Sequence, residues 1–157
     1  MAAPKSLPLG CILRPATPED LGAIRKLVFQ AKLDPTQLRW ENFSVIELQE
    51  QVIACGQLRQ FSGCQELGSL VVKKPWRDRG LGSYLVEHLV SEAIAPVYVE
   101  CMGWLVEFYE HLGFVKISWA ELPKPLKIKF FLGQLVSKFL PLGVTILQAK
   151  LLKSPKS

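Results

Sequence analysis

Residues 67–100 constrain the fold more than any other part of the sequence, because the apolar pattern changes there from strand to helix and back. Leu67–Val72 is an apolar run typical of a buried strand, and Val97–Glu100 is a second one. Between them a polar loop leads into a helical stripe formed by Leu81, Leu85, Leu89 and Ala93. Such a strand–loop–helix–strand unit predicts two parallel strands joined by a right-handed crossover.

The preceding residues predict one helix and an antiparallel meander. Cys11–Arg14 is a short strand, and Thr17–Asp20 supplies an N-cap residue, a proline at the first helical position and acids in the first turn. This helix should end near Lys32, and residues 33–42 should form a loop or a short second helix. Two strands follow and pair with the strand at 67–72: Phe43–Leu48 and Val52–Phe61, with Gly56 as a β-bulge.

Beyond the parallel unit the elements are shorter. A helix at Trp104–Leu112 should end at Gly113, a residue type favoured just past a helix end, and a strand at Phe114–Ile117 follows. Val144–Leu151 alternates like a final strand. We expect one domain over residues 1–157, with a flexible arm at 1–9 and a basic tail at 153–157.

Composition excludes several classes of protein. Hydrophobic residues make up 49% of the chain and charged residues 21%, so a disordered chain is not expected. The four cysteines contain no CxxC pair, and we expect no metal site. The first residues have no apolar core of a secretory signal. We therefore expect a cytoplasmic protein whose cysteines are free thiols and act as small buried hydrophobes.

The polar loop before the helix that contains Leu81, Leu85 and Leu89 has the features of an anion site. Gly80 and Gly82 lack a Cβ, so backbone N–H groups at this helix start can approach a phosphate closely. The surrounding cations are Lys73, Lys74, Arg77 and Arg79. The alternative is an ordinary strand-to-helix turn with solvated charges, since the Walker lysine pattern and the full GxGxxG motif are absent.

Two segments resemble the signatures of the GNAT acyltransferase superfamily. Arg77-x-x-Gly80-x-Gly82 is similar to the [QR]xxGx[GA] motif, which in that family binds the pyrophosphate of coenzyme A. Phe108-Tyr109-Glu110-His111-Leu112-Gly113-Phe114 is similar to the second, FYEKLGF-like segment. The resemblance covers about residues 10–118, with a final strand at 144–151.

The resemblance implies an α/β fold, a twisted mixed sheet of six to seven strands with helices on both faces. It also implies acetyl-CoA as co-substrate, with pantetheine lying between the two parallel strands where they splay apart. A backbone N–H of Val71 or its neighbour would stabilise the developing oxyanion. The residues implied to bind the cofactor are Leu70, Val71, Val72, Arg77, Asp78, Arg79, Gly80, Leu81, Gly82 and Ser83.

The reaction that the resemblance implies is direct attack of a neutral primary amine on the thioester. Tyr109 would be the general acid near the CoA sulfur; the alternative is a half-buried aromatic whose hydroxyl is tied to backbone. Glu66, eleven positions before Arg77, would be the base, and it could equally be a solvated strand-end carboxylate. Glu100 is the rival base, and we expect neither histidine to act as one.

The chain also departs from the family. Many members have Asn and Ala where this sequence has Met102 and Leu105, which keeps open a CoA-binding regulatory or interaction module without turnover. The acceptor, a small-molecule or peptide amine, should lie beside the loop Leu33–Asn42, with Trp40 and Glu41 as contacts.

An apolar segment with four lysines, residues 124–140, precedes the last strand. Its predicted apolar face comprises Ile128, Phe131, Leu132, Leu135 and Phe139. We favour packing on the domain's own sheet; a homodimer contact and a peripheral membrane contact are the alternatives, since Phe130 and Phe131 cannot both face one core. Nucleic acid is not expected, because basic and aromatic residues do not alternate along a strand.

Overall fold

The structure, a computed structural model, describes residues 6–139 and 143–150. Within them the strands are β1 (Cys11–Pro15), β2 (Phe43–Leu48), β3 (Gln51–Phe61), β4 (Cys64–Val72), β5 (Val97–Met102), β6 (Phe114–Lys116) and β7 (Val144–Ala149). The α-helices are α1 (Leu21–Gln30), α2 (Leu81–Ser91), α3 (Val106–His111) and α4 (Lys124–Phe139). Most of the expected arm, the end of the expected last strand and the basic tail lie outside the described residues.

The strands form a mixed sheet in the order β1-β2-β3-β4-β5-β7-β6. β1, β2 and β3 pair in antiparallel fashion, and β7 is antiparallel to both β5 and β6. β4 and β5 are parallel, with Gln65 opposite Val97 and Glu66 opposite Tyr98. The predicted α/β class, with a parallel pair inside a mixed sheet of six to seven strands, is therefore confirmed.

The described residues divide into two compact units, and β4 passes from one to the other. The first comprises the chain up to Arg59 together with Leu67–Glu92; the second comprises Gln60–Glu66 and the chain from Ala93 onward. The single domain over residues 1–157 stays a prediction.

In the first unit, the start of α1 is fixed by the residues that the sequence singled out. Asp20 accepts hydrogen bonds from the backbone N–H of Thr17, at 2.7 Å, and from the Arg14 guanidinium, at 2.7 and 3.0 Å. Pro18 follows the cap, where its missing N–H costs nothing. The apolar face of α1 then packs on the meander in one core cluster: Ala16, Ile24, Leu27, Val28, Phe43, Val45, Cys55 and Val71.

In the pairing of β3 with β2, the register shift does not lie at Gly56, where we predicted a β-bulge. Gly56 pairs regularly with Ser44, and the register shift lies where Ile46 faces Ala54 and Glu47 faces Val52. A Cβ at Gly56 would lie 3.1 to 3.4 Å from the side chains of Leu89, Leu70 and Leu85. The glycine makes room for leucines that pack over the strand, a contact that local sequence does not reveal.

In the second unit, α4 buries a different face from the one predicted. The core cluster contains Leu126 and Phe130 with Cys64, Tyr98, Leu122 and Ile146. Ile128, Phe131 and Leu135, which we expected to form the buried face, are 81%, 56% and 40% exposed. The side chains of Leu132 and Phe139 lie outside the described part. The prediction failed because the described apolar side chains of α4 lie on both of its sides, so their spacing alone does not identify the buried one.

Among the described helices, none combines the length and the apolar character that a membrane span requires.

Candidate functional site

The candidate phosphate loop lies in the first unit, between β4 and α2. A 3₁₀ turn at Lys74–Trp76 follows the strand, and Gly80 begins α2 with a left-handed φ of +80°. A residue without a Cβ adopts this conformation freely, which explains the glycine. The first-turn N–H groups of α2, from Leu81 to Ser83, have no partner inside the helix and lie at its positive dipole end. The loop therefore presents backbone donors suited to an anion.

Two arginines shape this loop. The Nε of Arg77 donates a hydrogen bond to the carbonyl oxygen of Val72 at 3.0 Å, which ties the loop back to the strand that precedes it. The guanidinium of Arg79 lies 4.7 Å from the centre of the Trp76 ring, a cation–π distance. Both side chains are exposed, so their remaining N–H groups face solvent. Asp78 has a positive φ of +61°, so the backbone turns sharply between the two arginines.

The donor set fits the pyrophosphate of coenzyme A. Exposed cations at Lys73, Lys74, Arg77 and Arg79 surround a helix start whose glycines leave the backbone accessible. No acidic side chain other than Asp78 lies between Lys73 and Ser83. The predicted phosphate-binding residues are therefore brought together in one loop of one unit.

The strand before the loop contains a strained residue. Ser69 has a φ of +50° within β4, and its hydroxyl is hydrogen-bonded to the Gln57 amide at 2.9 Å and to the Arg59 guanidinium at 3.3 Å. A left-handed serine inside a strand costs about 1–3 kcal/mol, and such conformations cluster at binding sites. We did not predict this polar cluster from sequence, since the glycine beside Ser69 is the only local signal of irregular backbone.

Leu70, Val71 and Val72 follow that distortion. The backbone N–H of Val71 lies against the Cys55 sulfur, whose pKa burial raises to about 12. Successive N–H groups along a strand point to opposite sides, so those of Leu70 and Val72 are directed away from Cys55.

Tyr109 lies in the second unit, in α3. Its ring packs edge-on against Phe108 and Phe114, with centroids 5.0 and 5.3 Å away, and 4% of the residue is exposed. Burial raises the pKa of the phenol well above its usual range, and the nearby Cys101 raises it further. Tyr109 is thus a tyrosine that stays protonated, the state that a general acid requires.

Glu66 is buried and paired. Its carboxylate accepts a hydrogen bond from the Lys129 ammonium of α4, and the two form an ion pair whose side chains are 7% and 17% exposed. Lys129 also lies 5.6 Å from the ring centre of Phe61. The solvated strand-end alternative for Glu66 is therefore wrong. Sequence reasoning missed Lys129, because nothing near residue 129 indicates a carboxylate 63 positions earlier.

Glu100 is half-buried in β5, opposite Ile146 of β7. Its charge adds to burial in raising the pKa of the adjacent Cys101 to about 11. The histidines lie on helices: His88 is half-buried on α2, and exposed His111 has its Nδ1 2.7 Å from the carbonyl oxygen of Glu107.

An open cleft of about 790 Å³ lies in the second unit and has a mixed-charge lining. Its walls are Gly103, Val106, Glu107, Glu110, His111, Lys116 and Thr145. None of the predicted catalytic residues lines it. Within the described chain no group of three or more His, Cys, Asp or Glu side chains is placed to hold a metal ion.

Comparison with known proteins agrees with this architecture. The sequence model of the acetyltransferase (GNAT) domain matches residues 39–116, about half of the chain, which include β2 to β6 and the phosphate loop. The chain belongs to the GNAT acetyltransferase family, and its fold is that of an acyltransferase.

Solved structures share this fold at low sequence identity. N-acetylglutamate synthase from Neisseria gonorrhoeae, complexed with coenzyme A and L-arginine, is 22% identical with a TM-score of 0.75; the match covers 91% of this chain and 34% of the synthase. Rv2747 from Mycobacterium tuberculosis, in complex with CoA and NLQ, is 23% identical with a TM-score of 0.70, covering 90% of this chain and 99% of that one. Ard1 from Thermoplasma volcanium is 14% identical with a TM-score of 0.64, and the match covers 89% of this chain and 97% of Ard1. The chain spans about a third of the length of the synthase.

Proposed function

We propose that this protein is an N-acyltransferase that moves the acetyl group of acetyl-CoA to a primary amine by direct attack in a ternary complex. The observation that carries the proposal is the loop from Arg77 to Ser83, where left-handed Gly80 opens α2 among four exposed cations. Solved relatives of the same fold hold coenzyme A. No metal takes part in the proposed reaction.

The phosphate loop would hold the pyrophosphate through the α2 N–H groups, with Arg77 and Arg79 adding charge. Leu70–Val72 would align pantetheine along β4. Because the Val71 N–H lies against Cys55, we assign the oxyanion contact to the N–H of Leu70 or Val72. When bound, acetyl-CoA supplies the thioester carbonyl that the amine attacks.

Two protons must move. We assign Tyr109 as the acid that protonates the leaving sulfur, since its phenol carries a proton at neutral pH. Glu66, which is paired with the Lys129 ammonium, is the first candidate to accept the proton of the substrate ammonium, and Glu100 is the second. Replacing Glu66 and Glu100 separately with Gln distinguishes the two candidates. Only the substitution at the true base should abolish turnover while CoA affinity is retained.

The acceptor we propose is a small-molecule or peptide amine beside the loop that contains Trp40 and Glu41. N-acetylglutamate synthase from Neisseria gonorrhoeae is complexed with L-arginine in one related structure and with N-acetyl-glutamate in another, so amino acids should head the panel of candidates. We place the protein in the cytoplasm, which its described cysteines support, being free thiols.

A second function is a CoA-binding module without turnover. Met102 and exposed Leu105 stand where many family members have Asn and Ala, and they favour it. Calorimetry with acetyl-CoA, run beside a thiol-release assay on the amine panel, distinguishes the two. Binding with thiol release on some amine supports the enzyme, and binding without release on any amine favours the module. Absence of binding would refute both.

A further inference from the structure

Helix α4 turns an apolar stripe to the solvent. Ile128, Phe131 and Leu135 are 81%, 56% and 40% exposed, and their spacing of three and four positions places them along one side of the helix. The opposite side is already occupied, since Leu126 and Phe130 are buried in the core of the second unit. We call Ile128, Phe131 and Leu135 the outer stripe.

All charged residues in the sequence of α4 are lysines, and the acid that precedes the helix, exposed Glu121, lies in the turn before it. Residues 122–157 contain seven lysines and no aspartate or glutamate, although the net charge of the whole chain is only +5, so the rest of the chain is net acidic. Exposed Lys124 lies one helical turn from Ile128, and half-buried Lys127 one turn from Phe131. Lys129 faces inward and is neutralised by Glu66. The stripe is therefore flanked by lysines with no acid on its own helix.

A partly exposed tryptophan lies next to the same helix. Trp119 is 38% exposed in the turn before α4, and the Lys127 ammonium donates to the Ala120 carbonyl at 3.4 Å, which holds that turn against the first turns of the helix. Tryptophan is enriched where a protein meets the headgroup region of a bilayer, because its ring is apolar and its N–H is polar.

We propose that the outer stripe docks this protein onto the surface of an anionic lipid bilayer. An amphipathic helix with lysines beside its apolar side lies in the plane of the interface, where the apolar residues enter the acyl boundary and the lysines meet anionic headgroups. The charge pattern argues against a second copy as the occupant. In a two-fold contact the stripe would face itself, and α4 offers no acid that would pair with the lysines of the other copy.

Co-sedimentation with vesicles tests the proposal. The wild-type protein should bind vesicles of phosphatidylcholine and phosphatidylglycerol at least about tenfold more tightly than vesicles of phosphatidylcholine alone, and added salt should weaken binding. Ile128→Glu with Phe131→Glu should reduce binding at least about tenfold, and Lys124→Glu with Lys127→Glu should do the same. Matched controls on α1 should bind like wild type: Phe29→Glu, at a residue 77% exposed, and Arg25→Glu with Lys26→Glu, both exposed.

Circular dichroism melting establishes that each variant is folded, and Ile128→Glu alone replaces the double variant if Phe131→Glu disturbs the core. The proposal is overturned if the wild type binds neither vesicle, or if the α1 controls lose as much binding as the α4 variants. It is also overturned if light scattering shows a wild-type dimer that Ile128→Glu with Phe131→Glu converts to monomer, since the stripe would then belong to a second copy.

Discussion

The Lys129 ammonium and the Glu66 carboxylate form an ion pair between α4 and β4, although 63 positions separate them in the chain. Both side chains are largely withdrawn from solvent, where an unpaired charge is costly. The pair therefore links the helix before the last strand to the carboxylate that we propose as the catalytic base. α4 has two distinct sides: one holds Glu66 and fills the core, and the other carries the outer stripe.

Lys129→Met should destabilise the protein by about 3 kcal/mol, because it leaves the buried Glu66 carboxylate without this cation. Urea unfolding measures the loss. Lys127→Met, on the same helix, is the control and should cost less than about 1 kcal/mol, since its ammonium makes only a long contact with a backbone carbonyl. Adding Glu66→Gln to Lys129→Met should recover part of the stability. Equal losses for the two lysine variants would contradict the assigned role of the pair.

Gly82→Val should raise the dissociation constant of acetyl-CoA at least about tenfold, since a branched side chain would occupy the space beside the first-turn N–H groups of α2. Gly22→Val is a matched control. Gly22 follows the first residue of α1 as Gly82 follows that of α2, and a Cβ at Gly22 meets no atom within 4 Å. Calorimetry compares the variants, and similar acetyl-CoA affinities for the two would refute our assignment of the loop.

Sequence reasoning found the elements better than the contacts between them. The strand–loop–helix–strand unit and the phosphate loop are local patterns, so residues 67–100 were predicted nearly as the structure has them. Three other features depend on residues distant in sequence. Gly56 is required by the leucines of α2, and Lys129 pairs with Glu66. The outer stripe remains exposed because the core under α4 has limited room. The strained Ser69 belongs with these, because only tertiary contacts hold a serine at a positive φ.

Tyr109→Phe should lower turnover about a hundredfold or more and leave acetyl-CoA affinity nearly unchanged, because only the phenol hydroxyl is removed. Since burial raises the pKa of Tyr109, wild-type turnover should not fall through loss of this proton near pH 10, where an ordinary tyrosine ionises. Tyr98→Phe, at a buried tyrosine of β5, is the control and should retain turnover. Thiol release at saturating substrate measures both, and full activity of Tyr109→Phe would remove the acid from our mechanism.

Asp20→Asn should show how the cap of α1 depends on pH. The hydrogen bonds from Arg14 are the main reason that the pKa of Asp20 falls from 3.8 to about 2, and burial partly opposes them. Because the pKa is lower in the folded state than in the unfolded one, the carboxylate stabilises the fold above about pH 3.8 and this stability is lost as the pH falls to about 2. A shift of this size corresponds to about 2 kcal/mol.

Urea unfolding should therefore show Asp20→Asn about that much less stable at neutral pH, with a flatter acid limb than wild type. Glu50→Gln, in an exposed turn, should change the unfolding free energy by less than about 0.5 kcal/mol. An acid limb of Asp20→Asn parallel to that of wild type would show that other carboxylates account for the acid sensitivity.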